Sequence, residues 1–221
     1  MLNSSKRKQA LAGWLKTKDP EEFADPLKLQ KFLFFYEIVS KIEDQEYELT
    51  KLKGYAAGPV FSDVYGDYRH NREMFNQAII AILNEDEVVI NEDIATFSLF
   101  LIQTHTREDL SELTHDLDIW HAQAHRIEWG EWQVTLHESD LSEQDIEYIK
   151  NIRWMFPKSY IENHKAVSVG NKRFIFSKDD YENLTQIHYS TLNELVEKVS
   201  EQLINPVYTE IDIDGGLLVY D

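Results

Sequence analysis

The chain has 221 residues, enough for one large domain or for one domain with an appendage. An apolar content of 43% predicts a folded protein, and no stretch reaches the roughly 18 apolar residues of a membrane-spanning helix. The 22 basic and 40 acidic residues give a net charge of −18, which disfavours a broad nucleic-acid-binding face, and the lack of cysteine excludes disulfides and thiolate chemistry. We expect a cytoplasmic protein that binds neither nucleic acid directly nor a membrane.

The first half is predicted to be built around one helix. Residues 4–16 place apolar side chains on one stripe, which predicts a short amphipathic helix. Residues 27–42 are apolar around nearly the whole circumference, and Pro26 suits the first turn, so this helix is expected in the centre of the core. Residues 48–57 are short and mixed, and we interpret them as a strand.

A Gly-Pro pair, Gly58 and Pro59, follows that strand. Gly58 gives the conformational freedom that a tight corner needs, and the fixed φ of Pro59 suits the first residue of a helix. Four residues then fall at the i, i+3, i+4 and i+7 positions of one helix face: Phe61, Val64, Tyr65 and Tyr68. The corner is therefore predicted to turn an aromatic face towards the core, and it lacks the glycine array of a phosphate loop.

Three more helices are predicted in the middle of the chain. Residues 74–83 and 94–102 have helical apolar patterns. Thr106 is expected to cap the third helix, with Asp109 in the capping-box position. Past this helix the pattern changes, and residues 127–136 alternate loosely, as extended chain does.

The C-terminal part is predicted to alternate helices with two hairpins. Residues 142–156 have a capping-box pattern at their start and read as a helix. A two-residue turn at 170–171 predicts the first hairpin, and helices are expected after Ser177 and after Ser190. The closing stretch VYTEIDIDGGLLVYD predicts a second hairpin, turned at residues 214–216.

These elements predict an α+β fold. We expect a mostly helical domain around a central buried helix, with short antiparallel strands and β-hairpins mainly in the C-terminal half. The change of pattern near residue 127 divides the chain into a helical domain, residues 1–126, and a C-terminal extension packed on it, residues 127–221. No low-complexity linker and no internal repeat marks a sharper boundary.

Histidines are candidate metal ligands in this sequence. Four of them fall close together in sequence: His105, His115, His121 and His125. The last two have the i, i+4 spacing of metal ligands on one helix, but the Glu of an H-E-x-x-H motif and an evident third ligand are missing. Surface or capping roles are favoured over a metal site. Since no serine-nucleophile motif occurs either, we expect no enzyme, no catalytic residue, no metal and no cofactor.

The acidic excess is concentrated at the C-terminal end. Residues 179–221 contain ten acidic residues and one basic residue, half of the net charge. Two interpretations stay open, solubility and a basic protein partner. Glu210, Asp212 and Asp214 alternate on one face of the expected hairpin, where a solvated edge is favoured over a hard-cation site. We expect these three residues and Tyr208 to contact the partner.

Three blocks of the sequence stand in a characteristic order and spacing: LKLQKFLFFYEI at 27–38, GPVFSDVYGDY at 58–68 and DLSELTHDLDIW at 109–120. Together they resemble the signature of the Panacea domain family, also called SocA-like antitoxins. The matching positions are Leu29, Lys31, Phe32, Leu33, Phe35, Gly58, Pro59, Val60, Val64, Tyr65, Leu110, Ser111, Thr114, His115 and Trp120. Tyr55 stands where the family has Trp, and Ile119 where Pro is usual.

The resemblance implies a mostly helical antitoxin domain over residues 1–126, which neutralises a cognate protein toxin by direct binding. Its motif residues would serve the framework rather than chemistry. Specificity in the family lies largely outside the shared blocks, so residues 127–221 become the expected contact region for a basic toxin. Two alternatives stay open: an adaptor that delivers a toxin or client to a protease, and an acidic phage-encoded protein that mimics nucleic acid.

Overall fold

The central helix of the protein, α3, spans Pro26–Ile42. Asp25 starts it, because its carboxylate accepts two backbone N–H groups of the first turn at 2.8 and 3.3 Å. Every residue over 28–40 is buried. The computed structural model describes residues 1–83 and 88–220, is 61% helix and 14% strand, and confirms the expected α+β fold around a central buried helix.

Two shorter helices precede α3: α1, Lys6–Lys18, and α2, Pro20–Ala24. The side chain of Asp19 caps α2, and Pro20 occupies its first position. Trp14 of α1 stacks on Phe32 of α3, with ring centroids 5.7 Å apart. The amphipathic helix expected over residues 4–16 is thus present, and its apolar stripe packs against α3.

A hairpin carries the Gly-Pro corner; its strands are β1, Leu52–Tyr55, and β2, Gly58–Phe61. The expectation that Pro59 starts a helix is wrong, because Pro59 lies in β2 opposite Gly54 and the next helix begins at Ser62. The φ of proline suits extended chain as well as helix. The N–H of Phe61 donates to Gln30 Oε1 on α3 at 2.8 Å, and this bond holds β2 extended along α3.

Five helices follow the hairpin: α4, Ser62–His70; α5, Arg72–Ile82; α6, Glu92–Thr104; α7, Arg107–His115; and α8, Asp118–Glu128. α5 and α6 correspond to the helices expected over 74–83 and 94–102. At the start of α7, Thr106 and Asp109 form the expected capping box, each accepting the backbone N–H of the other at 3.2 and 2.7 Å.

The prediction that residues 127–136 are extended is mostly wrong. α8 continues through Ile127, which packs on the core from the last turn, and the only strand described here is β3, Val134–Thr135, antiparallel to β1. Two helices then follow: α9, Glu143–Met155, and α10, Lys158–Asn163. Ser142 caps α9 as expected, and Asp145 also accepts the first two N–H groups of α8, at 2.8 and 3.1 Å.

The C-terminal part forms a four-stranded sheet with two helices: β4, His164–Val169; β5, Lys172–Ser177; α11, Lys178–Glu182; α12, Gln186–Val199; β6, Val207–Ile211; and β7, Leu217–Tyr220. Both expected hairpins are present, and a parallel pairing of β5 with β6 joins them in the order β4-β5-β6-β7. The helix expected after Ser190 begins earlier. Thr185 and His188 form a capping box there, which fixes the start of α12 at Gln186.

Two hydrophobic clusters hold these elements together. The larger one surrounds α3 and continues C-terminally to Val134, Phe156 and Ile161. The smaller one lies between the sheet and α12: Val167, Val169, Phe174, Phe176, Leu192 and Val207. The clusters group α9 and α10 with the helical part, while the division into residues 1–126 and 127–221 stays a prediction.

Candidate functional site

The three sequence blocks meet in space at a cluster that we call the motif junction: Lys31, Ala57, Gly58 and Thr114. Lys31 Nζ donates to the carbonyl oxygen of Ala57 at 2.7 Å and to Thr114 Oγ1 at 2.6 Å. Thr114 Oγ1 donates in turn to the carbonyl oxygen of Leu110 at 2.9 Å. One amine therefore ties α3, the hairpin and α7 together, across a sequence separation of 83 residues.

Gly58 is required at the motif junction for two reasons. Its φ of +100° lies in a region that residues with a side chain rarely adopt. A Cβ atom there would lie 2.1 Å from Lys31 Nζ and 2.5 Å from Thr114 Oγ1. A glycine is therefore needed at this position both for the turn and for the close approach of the hairpin to the amine of Lys31.

The buried surroundings of Lys31 change the pKa of its amine. The residue is 1% exposed, and burial lowers the pKa of its amine well below the ordinary value of 10.5. Within residues 1–83 and 88–220, no carboxylate pairs with it. A lysine with a lowered pKa can serve as a base or nucleophile, but this Nζ is engaged by two acceptors, so its evident role is to join three segments.

Two further motif residues brace the other side of the hairpin. Trp120 Nε1 donates to the carbonyl oxygen of Tyr55 at 3.1 Å. The ring of His115 stacks on Trp120, with centroids 3.9 Å apart and planes 23° apart. Burial lowers the pKa of His115, and the nearby Lys31 lowers it further, so the imidazole is held neutral against the indole.

Most of the remaining motif residues divide between the core and a surface cleft. Six of them are buried in the larger hydrophobic cluster: Leu29, Phe32, Leu33, Phe35, Val64 and Leu110. Three others, Pro59, Val60 and Tyr65, border a cleft of about 280 Å³ beside the motif junction, which we call the corner cleft. Its other lining residues include Lys31, Tyr55, Arg69 and Arg107. The sequence blocks thus predicted a framework, and nothing in their pattern indicated the cleft.

The four neighbouring histidines do not form a shared site. His105 Nδ1 lies 2.9 Å from the carbonyl oxygen of Leu101, and burial lowers its pKa. His125 packs edge-on against Trp129 with centroids 5.7 Å apart. In the described part of the chain, no group of three or more His, Cys, Asp or Glu side chains is placed to hold a metal ion.

The four residues expected to contact a partner lie in two different settings. Tyr208 and Glu210 belong to β6, where Tyr208 is half-buried and Glu210 exposed. β6 ends at Ile211, so Asp212 and Asp214 lie in the turn and do not continue a strand face, contrary to the expectation. Asp212 Oδ1 accepts the backbone N–H groups of Asp214 and Gly216, at 2.9 and 2.7 Å, so this carboxylate stabilises the turn.

A groove of about 480 Å³ lies beside Tyr208 and Glu210, and we call it the sheet groove. Its wall includes a second carboxylate, Asp180, and two stacked rings, Tyr160 and His164, with centroids 3.8 Å apart. Burial, with a smaller effect of Tyr208, raises the pKa of Tyr160 to about 12. The sequence pattern missed these three residues because they come from α11, α10 and β4 and meet only in the fold.

Exposed tryptophans form another feature that the sequence pattern missed. Trp129, Trp132 and Trp154 are 85%, 82% and 82% exposed. Tryptophan is enriched in the contact regions of protein–protein interfaces. The sequence signal that could have indicated two of them is the W-G-E-W stretch at residues 129–132. It follows the end of α8, so its tryptophans do not belong to the apolar stripe of that helix.

Comparison with known protein families, with curated proteins and with solved structures found no match for this chain. The family resemblance of the three blocks therefore stays a prediction. Among residues 1–83 and 88–220, none of the helices combines the length and the apolar character that crossing a membrane requires.

Proposed function

We propose that the protein is a cytoplasmic antitoxin, which neutralises a cognate protein toxin by binding it directly. The observation that carries the proposal is the motif junction. Three blocks that resemble the Panacea domain signature, far apart in sequence, are joined there by the amine of Lys31. A chance likeness of separate blocks gives no reason for Lys31 and Thr114, matching positions of two blocks, to share a hydrogen bond beside Gly58, a matching position of the third.

The sheet groove supports a basic partner. It combines the carboxylates of Asp180 and Glu210 with the rings of Tyr160 and Tyr208. A lysine or arginine side chain is attracted by carboxylates and by the faces of aromatic rings. The surrounding residues 179–221 carry ten acidic side chains against one basic one, so a basic toxin would be steered to this face before contact.

The test uses the open reading frames that lie next to this one. Each neighbour is expressed alone and together with the antitoxin, and growth is measured. We expect one neighbour to arrest growth and co-expression to restore it, with a complex of the two purified proteins in size-exclusion chromatography.

Three results would favour an alternative function or contradict the proposal. Restored growth without a stable complex, accompanied by a shorter half-life of the toxin, would favour the adaptor alternative. Strongly salt-dependent binding to DNA-binding proteins in general would favour the mimic of nucleic acid. If no neighbour is toxic, or if toxicity persists on co-expression, the proposal is wrong.

A further inference from the structure

The corner cleft has the opposite charge to the molecule around it. Arg69 and Arg107 are among its lining residues, and no carboxylate is found among the described residues that line it, in a chain with 40 acidic residues. Arg69 donates to the hydroxyl of Tyr65 at 2.9 Å, and Arg107 makes one exposed ion pair with Asp25 at 3.6 Å. Each guanidinium has five N–H donors, so both retain donors for a ligand.

The cleft continues beyond Tyr65 and Arg69 into an adjoining hollow of about 370 Å³. That hollow adds Arg72, whose guanidinium carbon lies 3.6 Å from the centroid of the Tyr68 ring. Its described lining again contains no carboxylate. Cationic groups collected in one concave place, on a protein of net charge −18, create a local positive potential that attracts an anion.

The walls of the cleft also offer aromatic rings. The centroids of Tyr55 and Tyr65 are 6.0 Å apart, with planes inclined at 52°. Burial raises the pKa of Tyr55, so its phenol adds no negative charge at neutral pH. Tyrosine rings stack on nucleobases, and guanidinium groups bind phosphate in a bidentate manner. The volume of about 280 Å³ is close to the lower end for small-ligand pockets, roughly 300 Å³.

We propose that the corner cleft binds a nucleotide, with the base against Tyr55 and Tyr65 and the phosphate between Arg69 and Arg107. A longer nucleic acid is disfavoured, because the chain as a whole, with a net charge of −18, repels phosphate. The cleft and the sheet groove have no lining residue in common among those described. Nucleotide binding is thus independent of the antitoxin proposal, and either can fail alone.

The experiment is isothermal titration calorimetry of the full chain with four probes: AMP, ATP, adenosine and inorganic phosphate. AMP is expected to bind with a Kd below about 1 mM. Adenosine and phosphate are each expected to bind at least about tenfold more weakly, because adenosine lacks the phosphate contacts and phosphate lacks the base contacts. The double variant Arg69→Gln/Arg107→Gln is expected to weaken AMP binding at least about tenfold, since both phosphate donors are lost.

The matched control is Arg126→Gln, which removes an exposed guanidinium that pairs with Glu131 outside the cleft. It is expected to leave the affinity for AMP unchanged. Circular dichroism establishes that both variants are folded. The proposal is overturned if neither AMP nor ATP binds at about 1 mM, if phosphate alone binds as tightly as AMP, or if the double variant binds AMP like the wild-type chain.

Discussion

The motif junction and the sheet groove use polar groups in opposite ways. At the junction, Lys31 and Thr114 are withdrawn from water and fully engaged with each other and with the hairpin. At the groove, Glu210 remains exposed, and the hydroxyl of Tyr220 donates to it a long hydrogen bond of 3.4 Å. Polar groups that are satisfied inside the protein hold a framework, whereas groups with spare hydrogen-bonding capacity can meet a partner. The recognisable sequence blocks therefore mark where the fold is joined.

The same contrast appears between the two concave surfaces. The described lining of the corner cleft includes two arginine side chains and no carboxylate, whereas the sheet groove has two carboxylates in its wall. Two surfaces of opposite charge on one small protein are suited to two different ligands. Three predictions test the different roles of the motif junction and the sheet groove.

The largest effect is expected for Gly58→Ala. The new Cβ would lie 2.1 Å from Lys31 Nζ in a backbone conformation with φ of +100°, so strain and steric overlap act together. We expect the free energy of unfolding to fall by about 3 kcal/mol or more, measured by urea denaturation. The matched control is Gly130→Ala, with φ of +99° and no atom within 4 Å of the new Cβ, which isolates strain at about 1–2 kcal/mol. Equal losses for the two variants would mean that close approach at the junction contributes nothing.

An intermediate effect, visible in the pH dependence, is expected for Lys31→Met. The folded chain holds the pKa of Lys31 below 10.5, while the unfolded chain returns it to the ordinary value, so between these limits the unfolded chain binds more protons. Wild-type stability should therefore rise with pH in that window, by up to about 1.4 kcal/mol per pH unit, and level off above 10.5.

The measurement is urea denaturation of both proteins between about pH 8 and pH 10, where His115, with its lowered pKa, is neutral in both. Tyrosine ionisation affects both proteins alike and cancels in the difference. The Lys31→Met curve is expected to lack the rise. Parallel curves for the two proteins would show that the folded chain does not lower the pKa of Lys31, against the account given for the junction.

The smallest effect concerns the surface. Glu210→Lys/Asp214→Lys leaves Asp212 in place to stabilise the turn and reverses two exposed charges. Once the toxin is known, we expect this variant to associate with it roughly tenfold more slowly at low salt, with a smaller difference at high salt.

A control with the same net charge separates a local effect from a general one. Glu73→Lys/Glu128→Lys reverses two exposed carboxylates on α5 and α8, outside the sheet groove. Stopped-flow association rates for the two variants are compared. If both slow association equally, total charge rather than the sheet groove governs the encounter.

Local signals were sufficient where one element decides its own structure. The apolar circumference of α3, the capping boxes at Thr106 and Ser142, and the turn at 170–171 are all present as expected. The wrong predictions concern positions whose secondary structure depends on a contact with another element. Pro59 fits a helix or a strand, and its pairing opposite Gly54 chose the strand. Residues 127 and 128 still belong to the last turn of α8, where Ile127 packs on the core.

The sequence alone predicts the α+β character, the central helix, most helix starts and the concentration of acidic residues near the C-terminal end, since caps, periodicity and charge are properties of neighbouring residues. Tertiary packing brings Lys31 to Thr114, Asp180 to Glu210 at one groove, and Arg69 and Arg107 to a cleft free of described carboxylates. Contacts between residues far apart in the chain depend on how whole elements pack. No local pattern encodes them.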